Sequence, residues 1–275
     1  MTLAQLLAQA TALGLERLDA QLLLLQALGR DGSERAWLLA HDTDAVDADV
    51  RARCEAAWHR RLAGEPLAYI VGHKEFHGLD LAVDARVLVP RPDTETLVDW
   101  ALEVMAGRPS PRVVDLGTGS GAIAVALKHR CAPAHVVAVD RSEEALAVAK
   151  ANGDRLGLDV EWRRGDWLAG LAGPFDVIVS NPPYIADGDP HLPALRHEPR
   201  AALAAGPDGL DDLRHLASQA PALLAPGGWL LLEHGWDQAD AVRGLLQAAG
   251  LVAVASRRDL AGIERCSGGQ RPEVR

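Results

Sequence analysis

Cysteine is scarce: Cys54, Cys131 and Cys266 are the three in 275 residues, and they are scattered. No pair stands at metal-ligand spacing and no set forms a disulfide framework, so no metal site is expected and the compartment is read as reducing. Long apolar runs are missing as well. Near the N-terminus the longest, residues 22–25, is far too short to span a bilayer, and no basic leader stands out. Positive charge is in deficit: 28 Lys and Arg stand against 38 Asp and Glu, a net charge of −10. Neutralising a phosphate backbone needs clustered cations, so stable nucleic-acid binding is not expected. There is no internal repeat and no low-complexity tract. What remains is an ordinary globular composition, 48% apolar and 24% charged, read as cytoplasmic and without a membrane partner.

The length accommodates one large domain, or a medium one beside a small one. The first part reads as helical. Thr2 and Gln5 fit a capping box, and Leu3, Leu6, Leu7, Ala10 and Leu13 follow one helical face. Further helices are expected at 19–28, from 33 or 34, and at 47–62, with Trp37 and Trp58 in the core of a small bundle covering 1–65. Over 66–92 the pattern changes to short alternating stretches split by Gly72 and Gly78, which predicts a β-hairpin linker. Asp93 or Thr94 can cap a helix running to about residue 106.

From residue 93 to 275 the rhythm is strand, loop, helix. Strands are expected over 112–116, 135–140, 160–164, 175–180, 229–233 and 251–256. Helices are expected over 121–130, 143–156, 209–223 and 238–249. This alternation defines an α/β fold with a mostly parallel sheet covered on both faces.

"VVDLGTGSGAIAVAL" places Gly117, Gly119 and Gly121 between a strand and a helix, where a ligand can approach the backbone. The next strand ends in Asp140, whose carboxylate can accept hydrogen bonds from the two hydroxyls of an adenosine ribose. The loop also satisfies the relaxed dinucleotide fingerprint, so taken alone it does not name its ligand. Asp115 favours S-adenosylmethionine: a carboxylate there suits an ammonium group and repels a pyrophosphate.

"VIVSNPPYIAD" ends an apolar strand with Asn181, Pro182, Pro183 and Tyr184. Two prolines hold the segment extended and remove two backbone donors. The Asn181 side-chain carbonyl and the Pro182 backbone carbonyl are two acceptors suited to one NH₂ group, and Tyr184 offers a flat face. Such a pair addresses a chemical difficulty. An amide or exocyclic aromatic nitrogen is a poor nucleophile because its lone pair is delocalised. Accepting hydrogen bonds from both N–H groups returns electron density to it, and a sulfonium methyl held in line then needs proximity and orientation.

Together, "DLGTGSGAIAVAL", "VSNPPYI", "PRPDTETLV" and "LLLEHGW" resemble the HemK/PrmC family of protein-(glutamine-N5) methyltransferases, and "AYIVGHKEF" and the N-terminal helices are similar too. The resemblance implies a Rossmann-like class I methyltransferase domain with a seven-stranded sheet, preceded by a helical substrate domain and a hairpin linker. It implies transfer of a methyl group from S-adenosylmethionine, leaving S-adenosylhomocysteine, to the glutamine of the Gly-Gly-Gln motif in class 1 peptide chain release factors, in support of translation termination. By motif, Gly117, Thr118, Gly119, Ser120, Gly121 and Asp140 would bind cofactor, with Trp167 by the adenine. Asn181, Pro182, Pro183 and Tyr184 would hold the glutamine amide. Arg91 and Glu233 are weighed for direct roles against linker and packing roles. His73 and His77 show no nucleophile–base logic.

The C-terminal "IERCSGGQRPEVR" departs from the family, whose members end in Arg and a short apolar strand. A last strand is therefore not assigned there, and Gly268-Gly269-Gln270 is read as part of a flexible tail. Three other readings compete. An adenine-N6 nucleic-acid methyltransferase would need a basic recognition region. A nicotinamide oxidoreductase leaves Asp115 and the Asn-Pro-Pro-Tyr unexplained, and a non-catalytic adaptor leaves the acceptor pair without a use.

Overall fold

Contacts divide the chain into two units, Met1–His73 and Lys74–Arg275, and the computed structural model describes residues 1–273. The first unit begins with the expected capping box. The Thr2 hydroxyl accepts from the Gln5 N–H at 3.3 Å and the Gln5 side chain accepts from the Thr2 N–H at 2.9 Å, which starts α1 (Leu3–Ala12). Then follow α2 (Arg17–Ala27), α3 (Arg35–Ala40), α4 (Ala48–Leu62) and α5 (Leu67–Val71). Their apolar faces share one core containing Leu6, Leu23, Leu24, Cys54, Trp58 and Ile70. Trp58 lies inside, as expected. Trp37 does not: it is half-buried, its ring stacked on His41 at 4.0 Å with the Arg30 guanidinium 3.7 Å from its centre. Helix α3 has only six residues, and of these it buries Leu38 alone.

The boundary expected after residue 65 falls after residue 73. Pro66 opens α5 and Gly72 ends it in a left-handed conformation, and Ile70 joins the bundle core. The expected hairpin is present as β1 (His73–Phe76) and β2 (Leu79–Ala82). It is not a free connector to residue 92, because Phe76, Leu79 and Leu81 are buried in a core of the second unit.

In that unit α6 (Glu95–Met105) leads into β3 (Arg112–Leu116), α7 (Ala122–Arg130), β4 (His135–Asp140), α8 (Glu143–Leu156) and β5 (Glu161–Arg164). Then come β6 (Phe175–Ser180), α9 (Asp211–Leu223), β7 (Leu224–Glu233), α10 (Ala239–Ala248), β8 (Val252–Arg258) and β9 (Glu264–Gln270). The larger sheet has seven strands in the order β5-β4-β3-β6-β7-β9-β8. Its central strands are valine- and leucine-rich on both faces, as a covered parallel sheet requires. One face packs on a cluster including Leu97, Ile123 and Val136; the other packs on Leu213, Leu216 and Val242. Strand order reverses between β3 and β6, which pair in parallel with Leu116 opposite Ser180. The Ser180 hydroxyl donates to the Leu116 carbonyl at 2.7 Å and pins the two strand ends together. No helix among the described residues is long and apolar enough to cross a membrane.

The C-terminal segment overturns the tail reading. Strand β9 lies inside the sheet, antiparallel to β7 and β8, with Gly268 opposite Leu231 and Gly269 opposite Leu230. A Cβ on Gly268 would stand 2.5 Å from the Leu231 side chain and 3.0 Å from Trp100. Glycine is what lets these layers close. The polar residue Ser267 is satisfied rather than solvated. Arg243 donates to Ser256, Ser256 and Ser267 are bonded at 2.7 Å, and Ser267 meets His234 Nε2 at 2.8 Å. His234 Nδ1 lies 2.9 Å from the Gly235 carbonyl, so Nδ1 donates and Nε2 accepts. Burial holds the imidazole below its ordinary pKa, in the neutral form this chain of bonds needs.

Candidate active site

The strand pairing brings the glycine turn after β3 and the tetrapeptide after β6 side by side, at the carboxyl end of the sheet and at its switch point. That is where open α/β sheets hold ligands. A cleft opens there, lined by Gly117, Gly119, Asp140, Trp167, Asn181 and Pro183 among others. Of the residues singled out in the sequence, these six meet.

The turn is tightly anchored. The N–H groups of Gly117 and Thr118 both donate to the Val139 carbonyl, at 2.8 and 3.0 Å. Gly117 has φ +71° and its missing Cβ would lie 3.2 Å from the Trp167 ring, so both its conformation and the indole's approach require glycine. Asp140 accepts from the Gly119 N–H and the Ser142 N–H, each at 2.9 Å and each on a different oxygen. Every carboxylate oxygen keeps a lone pair for a ligand. Trp167 adopts φ +50°, a left-handed conformation that is costly for a bulky residue. Its ring forms part of the cleft wall.

Asp115, Thr118, Ser120, Gly121, Pro182 and Tyr184 do not line the cleft. Asp115 is wholly buried and accepts from the Thr118 hydroxyl at 2.6 Å. Burial pushes its carboxyl up to about 7, against the pull of hydrogen bonds from Thr118 and the Ala124 N–H. Its Oδ1 has no partner. Asp115 thereby braces the turn through Thr118. Ser120 is buried, and its carbonyl accepts from Asn152, whose side chain also pairs with both backbone groups of Ala82 in β2. A buried amide thereby ties the hairpin to the turn.

In the tetrapeptide, Pro182 and Pro183 are buried while Asn181 and Tyr184 are half-buried. Asn181 Nδ2 donates to the Thr94 hydroxyl at 3.2 Å, which leaves Oδ1 as the acceptor that Asn181 has to offer. The Tyr184 carbonyl accepts from Gln238 at 3.0 Å, and the N–H of Ile185 donates to Leu203 at 2.9 Å, so the segment is fixed at its far end too. The Tyr184 hydroxyl stands 3.5 Å from Glu233 Oε1. Burial raises the Tyr184 pKa and keeps the phenol protonated. Glu233, at the end of β7, is 1% exposed.

Arg91 is accounted for. Its guanidinium pairs with buried Glu198 at 2.5 Å, and the same carboxylate accepts from the Val89 N–H at 3.1 Å. It clamps the chain ahead of α6. His77 likewise is engaged elsewhere: its Nε2 is hydrogen-bonded to Asp99 Oδ1 at 3.0 Å. Sequence reasoning missed Thr94, read as a helix cap, although it makes no side-chain cap and turns to Asn181 instead. It also missed the wall supplied by Arg86, Val87, Leu88, Pro199 and Ala201. These come from loops without a motif, and only the fold brings them together.

A seven-stranded, mostly parallel sheet with a glycine turn and an acidic strand end at its switch point defines a class I methyltransferase fold. A methyltransferase from Pyrococcus furiosus shares the fold with TM-score 0.55 and 20% identity, over 71% of this chain and 90% of that one. The methyltransferase small domain matches residues 94–198 and the PrmC N-terminal domain matches residues 2–72. The release factor glutamine methyltransferase of Bordetella pertussis (strain Tohama I) is 55% identical over 264 residues, 93% of this chain and 95% of that protein. That of Xylella fastidiosa (strain Temecula1) is 50% identical over 271 residues, 97% of each. The chain belongs to the HemK/PrmC family of release factor glutamine methyltransferases.

Proposed function

We propose that this protein transfers a methyl group from S-adenosylmethionine to the side-chain amide nitrogen of the glutamine in the Gly-Gly-Gln motif of class 1 peptide chain release factors. The observation that carries the reading is the adjacency of Leu116 and Ser180, which sets the cleft's glycine turn beside Asn181. The cleft suits the cofactor. Asp140 keeps one lone pair on each oxygen for a vicinal diol, Trp167 presents a flat apolar face, and the Gly119 position is open, with nothing within 4 Å of a would-be Cβ. Bound there, the cofactor supplies an electrophilic methyl on a sulfonium.

The remaining work falls to the protein's own residues. Asn181 Oδ1 accepts one N–H of the glutamine amide, and the Pro182 carbonyl is assigned the other. Both bonds concentrate electron density on the nitrogen and hold it in line. With the cofactor held by Asp140, Trp167 and the glycine turn, the sulfonium would give up its methyl to this nitrogen and keep the electron pair of the broken C–S bond, and the nitrogen would then lose a proton to water. Tyr184 stays protonated and packs beside the carboxamide plane. A tripeptide offers few contacts, and the helical unit 1–73 is proposed to supply recognition of the folded partner.

The test is a labelled-methyl transfer assay offering release factor, a free glutamine peptide and DNA side by side. Label on the release factor, lying in its Gly-Gly-Gln peptide, is expected. Preferred labelling of DNA would favour the adenine-N6 reading instead.

A further inference from the structure

Gln238 stands at the entry to α10, half-buried and outside the cleft. A side chain at that position can cap its helix, yet this one makes no cap bond. It turns the other way. Its Oε1 accepts from the Gly235 N–H at 2.8 Å, and its own backbone N–H donates to the Gly235 carbonyl at 3.1 Å. Its Nε2 donates to the Tyr184 carbonyl at 3.0 Å and lies 3.3 and 3.4 Å from the carbonyls of Gly209 and Asp208. A backbone N–H can only donate and a carbonyl can only accept, so the Gln238 amide has one orientation.

Gly209 makes room for this bond. A Cβ there would stand 2.3 Å from the Tyr184 carbonyl oxygen and 3.0 Å from Gln238 Nε2. Two separate stretches, one ahead of α9 and one ahead of α10, are thus shaped around a single carbonyl of the tetrapeptide.

The prolines give that carbonyl its weight. Pro182 and Pro183 have no N–H with which to anchor themselves, and their φ angles are locked. The peptide planes between them are rigid as well. Few soft torsions therefore remain from the end of β6 to Tyr184. At the near end Ser180 is pinned to Leu116. At the far end the Tyr184 N–H donates to the Leu203 carbonyl at 3.2 Å, and Gln238 holds the Tyr184 carbonyl. With both ends fixed, the direction of the Pro182 carbonyl between them follows.

We infer that Gln238 is a positioning residue for the methyl transfer: by holding the Tyr184 carbonyl it sets the direction of the Pro182 carbonyl, and with it the second hydrogen bond to the glutamine amide. The inference rests on the reaction proposed above. Gln238 acts only through the stiff backbone of Pro182, Pro183 and Tyr184.

The two ends of its side chain separate this role from a structural one. At about pH 8, Gln238→Glu keeps the shape and the acceptor for Gly235 but replaces the donor to Tyr184 with a second acceptor. Gln238→Met loses both bonds. A side chain that served only to close the turn at Gly235 would tolerate Glu and fail with Met.

The experiment is steady-state kinetics of wild type and both variants, as full chains, with S-adenosylmethionine and release factor at that pH. Calorimetric titration of the cofactor runs beside it, giving the Kd and counting folded sites. Both variants should lose about tenfold or more in kcat per folded site, the scale of one lost hydrogen bond. The KM for release factor and the cofactor Kd should be essentially unchanged. Gln238→Glu at the wild-type kcat overturns the inference, as does a loss confined to KM or to the number of folded sites. If Gln238→Glu does not fold, Gln238→Met decides alone by the same split. Absence of transfer by the wild type strikes the reaction itself and the inference with it; transfer with unaltered variants overturns the inference only.

Discussion

Asp140 commits one lone pair of each carboxylate oxygen to a backbone N–H, from Gly119 and from Ser142. The same side chain thus shapes the turn and is the one proposed to meet the cofactor. In the proposed binding mode, removing it deletes two charge-assisted bonds to a diol and loosens the loop that frames them, each bond being worth roughly 1.5–3 kcal/mol. Asp140→Ala should weaken cofactor binding by about a hundredfold or more, while turnover at saturating cofactor falls far less. Calorimetric titration beside saturation kinetics separates the two. An unchanged Kd would remove Asp140 from the site. Arg91 shows the opposite case: its charge is engaged by Glu198, so a basic residue near the cleft is a clamp and not a ligand.

Among the elements, β3, β4 and β6 and helix α8 have the bounds their sequences predict, because these strands are apolar on both faces and α8 carries its own signals. Ser142 caps α8 by accepting from the Ala145 N–H at 3.1 Å, and Gly157 ends it in a left-handed conformation. Strand β9 was illegible for a physical reason. Its burial depends on Ser267 finding His234, and on the absent side chains of Gly268 and Gly269, and neither gives an apolar pattern. Thr94 was illegible because a helix-entry threonine is read as a cap, and only the return of β6 shows its other partner. The glycine turn and the tetrapeptide were legible as motifs; the loops that wall the cleft were not, since their residues carry no periodicity. Gly268→Ala puts a methyl into the Leu231 and Trp100 contacts and should cost about 1–3 kcal/mol by overpacking. A lower denaturation midpoint at unchanged m-value is expected. An unaltered midpoint would mean that β9 is not packed there.

For the molecule as a whole, the carboxyls of Asp115 and Glu233 are both pushed up to about 7 by burial, from ordinary values of 3.8 and 4.5. The folded chain therefore holds protons that the unfolded chain releases. Their contribution to stability is intact below about pH 4 and is lost as pH rises through 7. Neutral, buried His234 acts in the other direction: its depressed pKa costs stability as pH falls below 6.5. Comparing Asp115→Asn with the parent cancels every other group. Between pH 5 and 8 the variant should gain on the order of 2–3 kcal/mol relative to the parent in urea unfolding. A constant difference would contradict the burial of an ionisable Asp115.

The fold sets two loops from neighbouring strands against each other, and the division proposed for them, one for the methyl donor and one for the acceptor nitrogen, can be measured in a single variant. Asn181→Ala should bind S-adenosylmethionine with near-normal affinity by calorimetry, yet transfer label to release factor at least a hundredfold more slowly, the scale of roughly 2.7–4 kcal/mol for one well-placed hydrogen-bonding group. Near-normal transfer by the variant would contradict the account.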